Sequence, residues 1–320
     1  IPGKRCPMGK SILVVGGSYF AGKVFVEAAS LCPDLSVTIL NRGTVPLFIP
    51  GVTEIRCDRK DPEALRTALA GRSFDACVDF CAYEREDVAT LFSALPKNGL
   101  GHYVLISTVS IYAPTLDFPV TENARPLAGP QPALGPASRY GFDKWLCEYT
   151  AMGACLRARI PYTMLRPAII YGKYNYAPRE SFFFTRALSG SSVPVPEGCP
   201  ALYSFLWVDD LASAILHLLE STAGHNRAFN LAGPELLCYE HLVAVISLCM
   251  GRRIETVRLP AAEIEQRKIP LPFPLENHLA YSGELFSRTF DFCYTPFFYG
   301  MEKTWKWFSQ HRQEEGHGGD

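Results

Sequence analysis

No stretch of the 320 residues approaches twenty consecutive apolar positions, so the sequence offers no candidate transmembrane helix. An excess of one charge is also missing. Lys+Arg number 31 against 32 Asp+Glu, a net charge of -1, which withholds the basic footprint of a nucleic-acid or anionic-membrane binder at the whole-chain level. The seven histidines are dispersed with no HExxH, and the eleven cysteines are odd in number and never spaced as CxxC. Neither a zinc site nor a disulfide framework follows from such spacing. Cys77 and Cys81 read as core on a strand, no metal is expected, and the compartment expected is a reducing cytoplasm. The first ten residues lack a signal-peptide core, and Met8 stands just before the first strand-like run, so residues 1–7 read as a leader or vector remnant.

What is present is a globular balance, 48% apolar and 20% charged, in a length that suits one large α/β unit or two domains. Short β-branched runs at 12–15, 37–40, 53–56, 76–80, 103–107 and 162–165 alternate with amphipathic stretches at 21–30, 62–70, 84–95 and 139–158. Such alternation predicts a parallel sheet with helices on both faces, its strands buried on both sides. Residues 8–170 form this first unit. Beyond 171 the texture changes to aromatics and prolines, with helices expected at 209–220 and 239–250, a strand at 227–231 and an irregular stretch at 259–275. Residues 171–312 therefore read as a substrate-binding region interleaved with the last elements of the sheet, and 313–320 as a disordered tail.

The first strand runs into Gly16-Gly17-Ser18-Tyr19-Phe20-Ala21-Gly22 and then a helix. Free N–H groups and the helix dipole make a strand, glycine turn and helix start an anion site. Tyr19 occupies the middle glycine position, so it shifts a bound dinucleotide or packs over it; a plain βα turn tightened by its glycines is the other reading. The second strand ends in Asn41-Arg42-Gly43, where a carboxylate would select NAD through the ribose hydroxyls. An amide and Arg42 there lean towards NADP, unless Arg42 merely caps a turn. Asp58 and Arg59, after the third strand, are placed to meet the adenine amino group or to lie in a solvated loop.

Tyr140 and Lys144 fall at i and i+4 on one helix face. A phenol with a free pKa of about 10 is a poor base at neutral pH. A cation about 4 Å away contributes about 4 kcal/mol at an effective dielectric of about 20, enough to lower that pKa by about three. Ser107-Thr108 close the fifth strand, where a hydroxyl can hold a substrate oxygen or make a local turn.

Together with VVGGSYFAG, DRKDPEAL, VLISTVSIY, YGFDKWLCE, LRPAIIYG, FLWVDDLA and FNLAGPE, these residues resemble an extended short-chain dehydrogenase/reductase of the NAD-dependent epimerase/dehydratase group, in an atypical branch. The resemblance spans residues 10 to about 308 and implies a Rossmann-type doubly wound parallel sheet with a smaller C-terminal substrate-binding domain. It implies hydride transfer at a secondary alcohol or ketone, with a sugar or nucleotide-sugar among the substrates it suggests, NAD or NADP as cofactor and a small-molecule substrate. It places the catalytic hydroxyl at Thr108, the acid/base at Tyr140 and its helper at Lys144, with Ala82, Tyr83 and Pro167 near the cofactor. It also implies a homodimer paired through 84–95 and 139–158. Some members of the branch bind RNA or act as regulators without catalysis, which is the alternative reading. Where the sugar-nucleotide epimerases carry an arginine for the substrate pyrophosphate, this chain has Tyr203; Lys173, Arg179 or Arg186 stand as replacements. Asn175, Arg179 and Tyr203 are the substrate candidates beside Thr108.

Overall fold

The computed structural model describes residues 9–316, so the expectations for 1–7 and for the last four residues lie outside the described residues. Seven parallel strands form the central sheet. In chain order its first half runs β1 (Lys10–Val15), α1 (Phe20–Ser30), β2 (Leu35–Asn41), β3 (Val52–Arg56), α2 (Pro62–Leu69), β4 (Ala76–Asp79), α3 (Arg85–Ala94), β5 (Tyr103–Ile106), α4 (Tyr140–Ala158) and β6 (Tyr162–Pro167). There follow β7 (Ile169–Tyr171), α5 (Glu180–Ser189), β8 (Val193–Glu197), β9 (Tyr203–Trp207), α6 (Val208–Leu219), β10 (Arg227–Leu231), β11 (Leu236–Leu237), α7 (Tyr239–Met250), β12 (Thr256–Pro260), α8 (Ala261–Gln266), α9 (Glu284–Phe290) and α10 (Phe297–Gly316).

The sheet order is β10-β6-β5-β4-β1-β2-β3. The chain reverses direction of progress between β1 and β4, and a crevice opens there at the strands' C-terminal ends. Alternation along β1 explains why its residues are apolar without interruption. Ile12 and Val14 enter one core with Phe25 of α1 and Leu211 of α6, while Leu13 and Val15 enter the other with Leu65 of α2 and Cys147 of α4. Local chemistry starts the helices. Asp61 accepts from the Glu63 and Ala64 amides ahead of Pro62, and Glu84 and Asp87 form a reciprocal cap on α3.

A third core is aromatic, built from Phe183 and Phe184 of α5, Tyr203 and Phe205 of β9, Tyr239 of α7, Phe273 and Phe297. Much of the aromatic run after 171 is therefore core. The stretch 259–275 is less irregular than its prolines suggest, since β12 pairs in parallel with β8 and α8 follows at once. The last helix continues through Gly316, into the stretch expected to be disordered.

One clasp ties the two halves of the molecule. Glu27 of α1 accepts from Lys173 Nζ at 2.9 Å and from the Tyr174 hydroxyl at 2.8 Å, and Lys173 also faces Asp209 of α6. Tyr174 holds a positive φ of 65° to reach this position.

Candidate active site

The glycine turn is shaped by close approach. Gly16 has φ +86° and donates its N–H to Leu40 O, and any Cβ on it would stand 2.8 Å from Cys81 Sγ. A Cβ on Gly17 would meet Val26 and Ile39, and among the described residues Gly17 is not in the lining of the cleft or of the pocket beside it. A Cβ on Gly22 would collide with the Gly16 carbonyl oxygen, so glycine here lets α1 dock on the end of β1. Tyr19 is the N-cap residue of α1 and supplies no side-chain cap, which leaves the first N–H groups of the helix facing the crevice. Its ring, with Phe20, lines the cleft wall.

That cleft encloses about 730 Å³ along the C-terminal ends of β1, β4 and β5. Gly16, Tyr83, Thr108, Tyr140, Lys144 and Pro167 all line it. A second pocket of about 260 Å³ adjoins it at the end of β2, lined among others by Ser18, Asn41, Arg42, Asp58 and Lys60. Asn41 is fully engaged there. It donates to Ser18 Oγ at 2.7 Å and accepts from the Gly43 amide at 2.8 Å. Arg42 lines both cavities and makes no ion pair among the described residues.

Arg59 overturns the solvated-loop reading, although it still lines the pocket at the end of β2 beside Asp58. Its guanidinium is buried and bidentate on Asp79, at 2.7 and 3.0 Å, and donates to Asp87 O at 2.8 Å. Tyr103 Oη and the Cys81 amide complete the shell of Asp79. Burial alone would raise the Asp79 carboxyl, but Arg59 outweighs it and holds the group below its ordinary range. Asp58 beside it stays exposed on the smaller pocket.

Tyr140 and Lys144 share a helix face, as their spacing requires, but the ammonium turns inward. Lys144 is buried and donates to Ala82 O at 2.8 Å and Ile106 O at 2.7 Å, joining α4 to the ends of β4 and β5. Ala82 therefore serves through its carbonyl, not as cleft wall. The expected depression of the Tyr140 phenol by Lys144 is not what this geometry produces. Burial pushes the phenol above its ordinary value, opposed by a hydrogen bond with Thr108 and by the charge of Arg179. The Tyr140 ring itself is 45% exposed and opens onto the cleft.

Thr108 follows β5 and makes the local turn of one reading while facing the cleft that the other requires. Its Oγ1 accepts from the Ser110 amide at 3.1 Å, starting a 3-10 turn, while it lines the cleft beside Tyr140. Ser107 Oγ is buried in the same wall with no hydrogen-bond partner among the described residues. An orphaned hydroxyl and a glycine cradle that a single Cβ would obstruct both fit a bound dinucleotide.

Two substrate candidates are elsewhere. Tyr203 has no exposed surface; its ring packs on Tyr239 and Phe273 and its hydroxyl donates to Pro274 O at 2.6 Å. Asn175 donates to both Glu180 oxygens and faces a separate cavity of about 410 Å³ behind the loop. Arg179 does line the cleft. So do Tyr176, Leu279 and Tyr281, the last two from an unpatterned stretch with no sequence signal to announce them. Arg166 is a buried strut, paired with Glu148 at 2.7 Å and donating to Tyr112 Oη, while Pro167 next to it reaches the cleft.

The NAD dependent epimerase/dehydratase family model matches residues 12–232, which spans the glycine turn, Thr108, Tyr140 and Lys144. The chain belongs to that family. Among its curated relatives is the chloroplast stem-loop binding protein of 41 kDa b of Arabidopsis thaliana, 29% identical over 76% of this chain. The chain spans only 64% of that relative's length. The 2'-dehydrokanamycin reductase of Streptomyces kanamyceticus is 26% identical over 78% of this chain and 69% of its own. Among solved structures, the UDP-glucose 4-epimerase of Thermotoga maritima superposes with a TM-score of 0.77 at 18% identity, covering 94% of this chain and 99% of that one. A dTDP-glucose 4,6-dehydratase of Bacillus anthracis, solved with NAD, has a TM-score of 0.76 at 20% identity over 95% and 98% of the two chains. At these identities the likeness establishes the extended short-chain fold of the family.

Proposed function

We propose that the protein is an NAD(P)-dependent oxidoreductase of the extended short-chain type that exchanges hydride with a secondary alcohol, or its ketone, on a small molecule. The observation that carries this reading is the convergence of Thr108, Tyr140 and Lys144 on one wall of the cleft headed by the glycine turn. Gly16, the start of α1, Ser18 and Arg42 would hold the dinucleotide phosphates and ribose, and Lys144 and Tyr83 would flank its far end. When bound, the nicotinamide supplies or accepts hydride. Held protonated by burial, Tyr140 donates its proton to the carbonyl oxygen in reduction; in oxidation it would take the carbinol proton once the positive charge of an oxidised nicotinamide lowers the phenol, with Thr108 holding the same oxygen. Lys144, fixed by two carbonyls, sets the floor on which these groups stand.

The cofactor preference proposed is NADP. Its support is that β2 ends in an amide already engaged by Ser18 and Gly43, beside Arg42, which makes no ion pair among the described residues. We place the enzyme in the cytoplasm and as a homodimer paired through α3 and α4, which lie side by side and leave Tyr149 and Leu156 exposed on α4. A stable monomer in light scattering at micromolar concentration would remove the dimer.

The name of the Arabidopsis relative favours a second reading, binding of structured RNA. The net charge of -1 and the complete Thr108–Tyr140–Lys144 set support the enzyme instead. Mass spectrometry of dinucleotide released from freshly denatured protein is the first test. Retained NAD or NADP accords with an epimerase or dehydratase that regenerates its cofactor in place; an empty protein that binds NADPH accords with a reductase. Tyr140→Phe is expected to lower turnover by about 10²–10⁴ while leaving dinucleotide affinity unchanged. Failure to bind either dinucleotide, with RNA affinity falling steeply in salt, would transfer the assignment to the second reading. Arg42→Ala is expected to weaken NADP binding more than NAD binding, and equal losses would remove the NADP preference.

A further inference from the structure

Three cations follow β7 closely enough to read a substrate, and their surroundings separate them. Lys173 is spent on Glu27 and Asp209, at 2.9 and 3.8 Å. Arg186 donates to Ser192 O at 2.9 Å, lies over the Phe182 ring and lines no cleft wall. Arg179 remains. Its Nη1 donates to Ile170 O at 2.8 Å, which fixes the guanidinium against the cleft wall, and it makes no ion pair among the described residues. A guanidinium has five N–H donors in a planar fork, so one anchored donor orients the group and leaves others for a ligand.

The rest of the cleft adds no opposing charge to Arg179, although Glu180 behind the loop feels it. No Asp or Glu lines the cleft among the described residues. Glu180, next to Arg179 in sequence, turns into the cavity behind the loop, where its carboxylate accepts from the Gly172 amide and from Asn175. Lys144 has donors committed to Ala82 and Ile106, and Arg42 lies at the other end, where the cleft meets the pocket at the end of β2. Ile169, Ile170 and Leu279 wall the Arg179 end with apolar surface. Apolar walls strengthen a charge-assisted hydrogen bond and make an unpaired charge costly.

We propose that the substrate carries an anionic group, a carboxylate or a phosphate, that Arg179 receives beside the carbinol handled by Tyr140. This deepens the oxidoreductase reading and rests on it. Arg179 and Tyr140 line the same cleft, and the charge of Arg179 draws the phenol down against the effect of burial, so the two groups can serve one substrate. Arg179 thereby takes the part for which Tyr203, sealed in the aromatic core, has no access.

The test uses the full chain saturated with the dinucleotide it binds, titrated calorimetrically at low ionic strength with inorganic phosphate and, separately, with malonate. Saturable binding of at least one anion is expected, weakened more than tenfold by Arg179→Gln, largely restored by Arg179→Lys and unchanged by Arg186→Gln. Preference for phosphate over malonate assigns a phosphate ester, and the reverse assigns a carboxylate. Absence of binding by both anions overturns the proposal, as does binding that Arg179→Gln leaves intact. Dinucleotide affinity is measured first on the same samples: a chain that takes up neither NAD nor NADP overturns the underlying oxidoreductase reading before any anion is added.

Discussion

Replacing Arg59 with alanine separates a strut from a ligand. The guanidinium is buried, bidentate on an Asp79 carboxylate with no exposed surface, and bonded to Asp87 O. Removing it leaves Asp79 with only the Tyr103 hydroxyl and the Cys81 amide. Breaking a buried pair from one side costs about 3–5 kcal/mol, because the surviving charge is stranded. With an unfolding entropy of about 2.1 cal/mol/K per residue, over 320 residues, that loss lowers Tm by about 4–8 °C. Thermal denaturation followed by circular dichroism measures it, with dinucleotide affinity determined in parallel. Acidification supplies a second check. In the native protein Asp79 is held low, so its contribution is present above the unfolded value of about 3.9 and lost as pH falls through the folded one. Without Arg59, burial raises the carboxyl above that unfolded value. The penalty then stands at neutral pH and fades as pH falls towards 4, so the gap between the two proteins narrows. A Tm within 1 °C of the native value, or a gap that widens in acid, would refute the argument, roughly as an exposed contact to cofactor would behave.

The other expectations are simpler to state. Gly22→Ala drives a methyl into the Gly16 carbonyl and should weaken dinucleotide binding more than tenfold with far-ultraviolet circular dichroism unchanged; native affinity would show that α1 can slide away at no cost. Burial, with His225 and Lys10 adding to it, pushes the His102 imidazole down to about 3, while the unfolded chain titrates near 6.5. Its contribution is therefore complete above about 6.5 and is lost as pH falls towards 3, about 2 kcal/mol at pH 5. His102→Gln should flatten the stability profile between pH 7 and 5, and an unchanged slope would disprove the buried neutral ring.

Elements whose reasons are local were legible in the sequence. The strands of the first half, the Asp61-Pro62 helix start, the glycine turn and the Tyr140–Lys144 spacing all depend on residues within a few positions of one another. Pairings made across the fold were not. Arg59 meets Asp79 twenty residues away through the crossover of β3 and β4, and nothing near DRKD signals that the arginine is swallowed. Lys144 sits on the anticipated helix face, yet the carbonyls that capture it belong to Ala82 and Ile106. Tyr203 and Asn175 share a polar-aromatic composition with a cleft lining, and only packing against Phe273 or Glu180 tells core from cleft. β7 has three residues and β11 two, too short for any periodicity to show.

The Glu27 clasp joins two ends of the cleft. The helix that starts at the phosphate turn grips, through one carboxylate, the segment that presents Tyr176 and Arg179 to the cleft. Lys23, 3.8 Å from the Tyr174 ring centroid, and Phe20, edge-on to Tyr176, add to that grip, so the phosphate turn and the substrate wall share one helix. A dinucleotide seated at the turn would thus bear on the wall that carries Tyr176 and Arg179, with Glu27 as one of the ties between them.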